Sequence, residues 1–591
     1  EDDRAELAEL TQAVASGRPG ARRTAEAELR DRFTGSLQFG TAGLRGAMAA
    51  GPNRMNRAVV IRAASGLSTY LSDALLESGI EGPARVAIGY DARHGSRQFA
   101  LDTAAVMVAA GHEALLLPRT LPTPVLAYAT RALDADAGVM VTASHNPPQD
   151  NGYKVYLGGR VVSDEGQGAQ IVPPYDGEIA SRIAAVASVE SVPRAEAGWS
   201  VLDEDIVDDY VHAVAGVAGP ATEDNADARA GVRIVLTPLH GVGGTTVEAA
   251  LRAAGFTDLH TVAEQAEPDP DFPTVDFPNP EEAGAIDLSL VLAREVGADV
   301  VIANDPDADR CAVATVIDGE WRMLHGDVVG SVLGERMAAR VAAHDGAGTD
   351  GAIDDVAPPV LANSIVSSQL LSRIAERHGL SHANTLTGFK WIGREPGLAY
   401  GYEEALGYCV APDLVRDKDG ITAAVAFVEL AGGLARRGAT VLDRLDELAV
   451  EHGLHATDTW SIRVDDLSEI DRIMALARSS TPDGLGGLDV SGVHDYAVGG
   501  ALMPTDALEW TLDDIARVVV RPSGTEPKAK IYLEVFCDVV DGDVAAARVS
   551  AAAQLSAIRA DLGEHLGVNV LGFFQAEDGI RDLYVTGVQT C

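Results

Sequence analysis

The stretch "ADVVIANDPDADRCAV", Ala298–Val313, runs from an apolar β-branched segment straight into three alternating aspartates. The apolar run reads as a strand buried on both faces, and the Asn-Asp-Pro that follows ends it in a loop. Asp305, Asp307 and Asp309 stand at i, i+2 and i+4. In an extended loop this spacing turns three carboxylates to one side, where they repel unless a cation sits among them. Three oxygen ligands suit Mg²⁺, one ion per site. An EF-hand is excluded, because Arg310 stands where that loop needs Gly and no Glu follows at its twelfth position. A solvated acidic turn would not be fed by so apolar a strand.

The same grammar repeats along the chain. "ARVAIGYD", "GVMVTASHN" and "VRIVLTPLHG" each pass from strand-like residues into a Gly, Pro or Asp loop. Between them lie amphipathic Ala-rich segments such as "GSRQFALDTAAVMVAAG", which reads as a helix ending at Gly111. Alternation of this kind predicts an α/β fold of βαβ units, with ligands at the C-terminal ends of the strands. A chain of 591 residues exceeds one core. Composition shifts near "PRAEAGWSVLDEDIVDDY", a hinge-like "IDGEWRMLHGDVVG" and the β-rich region after "AVEHGLHATDTWSI" divide it. The expected domains are 1–205, 206–320, 321–450 and 451–568, the last of α+β character.

Composition narrows the function classes. The net charge of −42 argues against nucleic acid or an anionic membrane as partner, and requires local cations for any phosphorylated ligand. No apolar run is long enough to span a bilayer, and the acidic start "EDDRAELAEL" lacks the form of a secretory signal. The four cysteines form no CxxC pair, which fits a reducing, cytoplasmic setting rather than a zinc site or disulfide scaffold. No obligate protein partner is evident. Of 46 basic residues only Lys154, Lys390, Lys418, Lys528 and Lys530 are lysine. Arg replaces Lys readily on a solvated surface but not where a compact ammonium is required, so the surviving lysines merit attention.

Three further segments carry chemistry. In "RPSGTEPKAKIY", Arg521, Ser523, Thr525 and Lys528 surround Gly524, an arrangement suited to cradling a phosphate, although a polar turn before a strand reads similarly. In "TLTGFKWIG", Lys390 lies between Phe389 and Trp391, where desolvation would lower its pKa toward acid–base work. In "GYEEALGYC", Glu403 and Glu404 follow a glycine and could hold sugar hydroxyls. Finally, "GVMVTASHNPPQDNGYKVY" places Ser144 between Ala143 and His145, where a strand gives way to prolines. Alone, Ser144 would read as a turn serine.

Taken together, "FGTAGLRG", "TASHNPP", "DPDADR", "GYEEALGY" and "RPSGTEPK" occur in an order that resembles the α-D-phosphohexomutases, most closely their longer phosphoglucomutase/phosphomannomutase-like branch. The resemblance spans Phe39 to Phe536. It implies three mixed-sheet α/β domains plus a C-terminal α+β domain around a central cleft. It makes Ser144 a phosphoserine, with His145 and Asn146 beside it and its phosphate completing the metal shell of Asp305, Asp307 and Asp309. It assigns Arg45 to support of the serine loop, Lys390 to acid–base transfer, Glu403 and Glu404 to the sugar, and Arg521, Ser523, Gly524, Thr525 and Lys528 to the phosphate. The implied reaction interconverts hexose 1-phosphate and hexose 6-phosphate, with glucose as expected sugar and glucose 1,6-bisphosphate as intermediate and activator. Phosphomannomutase or phosphopentomutase activity is the alternative within the family. One departure bears on the sugar: where many members carry Gly-Glu-x-Ser-Gly-His, Leu406 and Tyr408 replace Ser and His. Lys154 and Lys418 are expected to shape loops, with a plain surface charge an equal reading of Lys418.

Two other classes share features. A haloacid-dehalogenase-type phosphatase also places DxD after a strand, but needs neither Ser144 nor the Arg521 cradle. A non-catalytic sugar-phosphate-binding protein would not need Ser144 together with all three aspartates. The last residues, Gln575–Cys591, resemble translated sequencing-adapter DNA, so 569–591 is set aside as an artefactual tail and the missing initiator Met reads as a clipped start.

Overall fold

The computed structural model describes residues 2–41, 43–220, 222–346, 357–464, 466, 468–523 and 528–568. The fold is α/β, and the chain divides into two compact units, 1–311 with 407–429 and 312–406 with 430–591. The segment 569–591 and the phosphate-loop residues Gly524 and Thr525 lie outside the described residues.

Among the described residues, the first unit holds a seven-stranded mixed sheet. Its centre is Arg85–Tyr90, parallel to Glu113–Leu116 on one side and to Ala137–Val141 on the other. Asp150–Leu157 then returns antiparallel to Ala137–Val141 and pairs with Leu44–Ala47. Every residue of Ala137–Val141 is buried, as a run of small and β-branched residues covered on both faces should be. Helix Ser96–Ala109 stops as its sequence predicts, with Gly111 at φ +90° just beyond it. The core joins Val60, Leu67, Val86, Ile88, Val139 and Val155.

A second sheet in the same unit aligns Val300–Ala303, Arg233–Thr237 and Asp258–Thr261 in parallel. Its strand Val300–Ala303 delivers the aspartate loop, as Ala137–Val141 delivers the serine loop. Both loops leave the C-terminal ends of parallel strands, the edge where α/β sheets gather their ligands.

In the second unit, Val360–Ser364 runs parallel to Ser381–Thr385 and Leu398–Glu403. The segment expected as a hinge forms regular structure instead: Glu320–Met323 pairs antiparallel with Ala312–Ile317, and helix Gly326–Gly346 follows. A Cβ at Gly326 would stand 1.8 Å from the Glu404 carbonyl oxygen, so only glycine permits that approach. The C-terminal part is an antiparallel sheet running Leu454–Arg463, Lys528–Cys537, Ala516–Pro522, Leu508–Leu512, Leu488–Asp495 and Gly484–Leu485. Helices Ser468–Ser479 and Val544–Leu566 pack on it, and Trp460 and Trp510 anchor the core between. Among the described residues no helix is long and apolar enough to cross a membrane.

Helices Arg57–Glu77 and Tyr175–Ala185 cross at Gly66, where a Cβ would lie 2.4 Å from Ile183 Cγ1 and 2.7 Å from its backbone nitrogen. Gly66→Ala is expected to destabilise the protein by about 1–3 kcal/mol through overpacking. Gly177→Ala, in an exposed helical turn with nothing within 4 Å, should stabilise it by roughly 0.5–1 kcal/mol. Thermal unfolding of the two variants checks both signs.

Candidate active site

The strand Ala137–Val141 ends in Thr142 and Ala143, and Ser144 takes a left-handed conformation at φ +51°. Its backbone N–H donates to Thr142 Oγ1 at 2.9 Å. The hydroxyl, buried to 3 % exposure, donates to Asp305 Oδ2 at 2.6 Å and lies 3.3 Å from His145 Nδ1. The Arg310 guanidinium lies against His145 Nδ1. Arg45 Nη1 donates to Asn146 Oδ1 at 3.2 Å, so it reaches the serine loop through the asparagine. Six residues singled out in the sequence therefore meet here: Arg45, Ser144, His145, Asp305, Asp307 and Asp309.

The three aspartates are fully buried, with one carboxylate oxygen of each within 4.8 Å of the others. Three like charges in a dry site cannot persist uncompensated. Lys154 Nζ answers this, at 2.7 Å from Asp307 Oδ2 and 2.8 Å from Asp309 Oδ2. Thr123 Oγ1 donates to Asp307 Oδ2 at 2.6 Å. Lys418 Nζ lies 3.5 Å from Asp309 Oδ2. Burial alone would push the Lys154 ammonium down, but Asp307, Asp309 and Asp417 outweigh it and hold it above the ordinary lysine range. Burial would likewise raise Asp307, and Lys154 instead keeps it below the usual carboxylate value. Asp305 lacks such a partner, so burial together with the charges of Asp307 and Asp309 pushes it well up.

The residues present fit a small hard divalent cation. Asp307 Oδ1 and Asp309 Oδ1 are buried without a hydrogen-bond partner, which is costly unless an ion takes them. The donor set is all oxygen, and a dication would supply the compensation that Asp305 lacks.

Lys154 is the residue that sequence reasoning undervalued. It belongs to Asp150–Leu157, opposite Met140 on the serine strand, and that pairing carries it under the aspartates. Its signal in the sequence was the scarcity of lysine. Lys418 is buried, which removes the surface-charge reading and leaves the loop-shaping one. Around it Tyr156 donates to Asp417 Oδ2 at 2.7 Å, and Tyr210 donates to Asp419 Oδ1 at 2.9 Å. Asp419 Oδ1 also accepts the N–H groups of Ile421 and Thr422, which caps helix Gly420–Arg436. A Cβ on Gly420 would meet the Arg310 carbonyl oxygen at 2.2 Å, so this segment packs directly on the aspartate loop.

The second unit holds the remaining candidates. Glu404 is buried and accepts the hydroxyls of Ser364 and Ser367, each at 3.2 Å. Glu403 ends its strand and is also buried. Ser523 N–H donates to the Lys528 carbonyl at 2.8 Å, and Pro522 stands opposite Ala529, so these candidates lie on paired antiparallel strands. Arg521 and Glu404 both act on the buried Tyr532: burial and the Glu404 charge push its phenol well up, and Arg521 opposes them. Lys390 is half-buried in the short helix Phe389–Ile392. Of its flanking aromatics, Phe389 enters the core and Trp391 is partly buried.

Four family profiles match these elements in order. Residues 36–188, 208–316 and 325–451 match the phosphoglucomutase/phosphomannomutase alpha/beta/alpha domains I, II and III, and 462–551 match the C-terminal domain. The chain belongs to the phosphoglucomutase/phosphomannomutase family. It is 45 % identical over 483 residues to a probable phosphomannomutase of Haemophilus influenzae, covering 81 % of this chain and 93 % of that one. It is 34 % identical over 559 residues to the human phosphopentomutase, covering 86 % of each. The fold matches the Paramecium phosphoglucomutase parafusin with a TM-score of 0.66 at 18 % identity, over 91 % of this chain and 97 % of that one. The family is metal-dependent and its homologues act on small phosphosugars; this chain is a mutase of that family, an isomerase.

Two measurements probe the charges. Lys154→Ala removes the ammonium shared by Asp307 and Asp309, leaving Asp309 only the more distant Lys418, and should cost about 3–5 kcal/mol of stability in metal-free buffer. The loss should shrink when a divalent cation is added, which calorimetry with and without the ion would show. Glu534 is buried and accepts from Arg517 Nε at 2.7 Å, Ser368 Oγ at 2.7 Å and the Gln369 N–H at 2.8 Å. Burial would raise it, but Arg517 and His455 outweigh that and hold it at about 2. Its stabilisation is therefore in place above the ordinary glutamate value of 4.5 and is lost as pH falls toward about 2. Glu534→Gln should flatten the pH dependence of the melting temperature across that window.

Proposed function

We propose that the protein interconverts hexose 1-phosphate and hexose 6-phosphate through a phosphoserine at Ser144, with Mg²⁺ held by Asp305, Asp307, Asp309 and the serine phosphate. The observation that carries this reading is the 2.6 Å contact between Ser144 Oγ and Asp305 within a buried, under-compensated aspartate triad. A hydroxyl among three carboxylates is unfavourably placed to become an alkoxide, but well placed to carry a phosphoryl group whose oxygens share a cation with those carboxylates. Bound there, Mg²⁺ would neutralise charge on the transferring phosphoryl oxygens.

The chain's own groups then have separable tasks. Lys154 stays protonated between Asp307 and Asp309, so it serves as a fixed cation. Arg310 brings positive charge against His145, whose ring lies beside Ser144 Oγ. In the proposed cycle the phosphoserine gives its phosphoryl group to the free hydroxyl of the sugar phosphate. The proton of that hydroxyl passes to a base, the role assigned to Lys390. The resulting sugar 1,6-bisphosphate reorients and returns its other phosphoryl group to Ser144. Arg521, Ser523, Thr525 and Lys528, with Gly524 allowing close approach, would grip the phosphate not in transfer. Glu403 and Glu404 would accept from sugar hydroxyls, with Glu404 held ready by Ser364 and Ser367.

A pentose phosphate is the second reading. Leu406 and Tyr408 are both fully buried, so neither offers the small hydroxyl or imidazole that many members present to a hexose. A smaller sugar needs fewer such contacts.

The test is a Mg²⁺-dependent isomerisation assay on glucose 1-phosphate, mannose 1-phosphate and ribose 1-phosphate with catalytic glucose 1,6-bisphosphate. Turnover of a hexose phosphate is expected, lost with chelator and lost in Ser144→Ala. Turnover of ribose 1-phosphate alone would establish the pentose reading. Release of free phosphate that survives Ser144→Ala would overturn the mutase mechanism.

A further inference from the structure

The loop that presents Ser144 has no regular structure of its own between Val141 and Asp150, yet phosphoryl transfer needs its oxygen in line with the acceptor. Something must hold that loop from outside. The guanidinium of Arg93 does so. Its Nη2 donates to the carbonyl oxygens of Ser144, at 2.6 Å, and Asn146. Its Nη1 donates to those of Pro147, at 2.8 Å, and Asp150, at 3.2 Å. Four backbone acceptors along the loop thus converge on one planar fork, which spans the loop from the serine to the start of the return strand.

Arg93 is itself fixed. It follows the strand Arg85–Tyr90, and Asp91 accepts its backbone N–H at 3.0 Å and faces its Nε at 3.4 Å. Asp91 is set in turn by the Ser96 hydroxyl at 2.6 Å. On the other side the guanidinium lies over the ring of Phe272, 4.9 Å from its centroid. Phe272 is buried at 3 % exposure and adopts a left-handed φ of +46° within the segment "EPDPDFPTVDF", Glu267–Phe277. That segment is strapped to the loop after strand Arg233–Thr237, since Asp269 N–H donates to the His240 carbonyl at 2.9 Å and His240 Nε2 pairs with Thr274 Oγ1 at 2.8 Å. Gly241 of that loop touches the aspartate loop, where a Cβ would be 2.3 Å from Pro306 Cα. One continuous set of contacts therefore joins the aspartate loop, the Phe272 segment, Arg93 and the serine loop.

We propose that Arg93, propped by Phe272, is the positioning residue that sets the Ser144 loop against the aspartate loop for phosphoryl transfer. The proposal rests on Ser144 being the phosphorylated residue. Lysine cannot replace the fork, because a point charge reaches at most some of the four carbonyls. A leucine at position 272 keeps apolar volume and removes only the ring face.

The test compares wild type, Arg93→Lys, Phe272→Leu and Ser144→Ala. The readouts are melting temperature, kcat and KM, and the rate at which glucose 1,6-bisphosphate phosphorylates Ser144, followed by intact mass. Arg93→Lys is expected to remain folded, to lose roughly 100-fold in kcat with KM little changed, and to phosphorylate Ser144 correspondingly more slowly. Phe272→Leu should show the same pattern at about fivefold. Wild-type kcat and phosphorylation rate in a folded Arg93→Lys would overturn the proposal. If Arg93→Lys does not fold, Phe272→Leu decides by the same two rates. Retained turnover in Ser144→Ala would remove the phosphoserine reading itself, and this proposal with it. An inactive Ser144→Ala beside a fully active Arg93→Lys would remove the proposal alone.

Discussion

Three carboxylates in one dry place constrain the rest of the first unit. Asp305, Asp307 and Asp309 are buried in full, and unpaired charge in such a place is too costly to keep. The fold supplies two ammonium groups, Lys154 and Lys418, from two segments far apart in the chain. It also supplies the Thr123 hydroxyl to Asp307 Oδ2, the oxygen Lys154 already holds, and the Ser144 hydroxyl to Asp305 Oδ2. Even so, two carboxylate oxygens stay unpartnered. That remainder of uncompensated negative charge is what makes the site receptive to a divalent cation.

Backbone strain gathers at the same loops. Ser144, Leu239, His240, Phe272 and Ala308 are all non-glycine residues held at positive φ between 46° and 59°. Each departs from the preferred conformation of an L-residue and persists only where the surroundings dictate it. Here the surroundings are mutual. The aspartate loop is pressed by Gly241 and Gly420, whose missing side chains admit backbone contact. The serine loop is pinned by its own carbonyls. The segment bearing Phe272 is tied to His240. Strain at any one of them is sustained by the others, which suits a site whose reacting atoms must not drift.

Much of this was legible in sequence, for a physical reason. Buried strands announce themselves as apolar runs, and loops at their ends as Gly, Pro and Asp, so Ser144 and the aspartate triad could be placed at strand ends without coordinates. Local rules do not reveal partners across the fold. Lys154 looked like a loop lysine because its role depends on the antiparallel return of its strand beneath the aspartates. Arg93 carried no local signal, since its acceptors are backbone carbonyls more than fifty residues away. The "IDGEWRMLHGDVVG" segment read as a hinge because glycines punctuate it, whereas Gly326 is there for a backbone contact with Glu404.

The shortage of lysine shows which positions demand an ammonium. In a chain whose basic residues are nearly all arginine, the two positions next to the triad remain lysine. Between Asp307 Oδ2 and Asp309 Oδ2 the available space fits one nitrogen at 2.7 and 2.8 Å, and a guanidinium is too wide to sit equally on both without forcing the loop open. The ammonium also leaves the other oxygen of each carboxylate free to face a cation. Arg93 shows the converse. Its task is to bind several carbonyls spread along a loop, which needs a planar fork of donors and would defeat an ammonium. Charge alone does not distinguish the two sites; the number and spread of acceptors does, and the chain has used each cation where its shape is required.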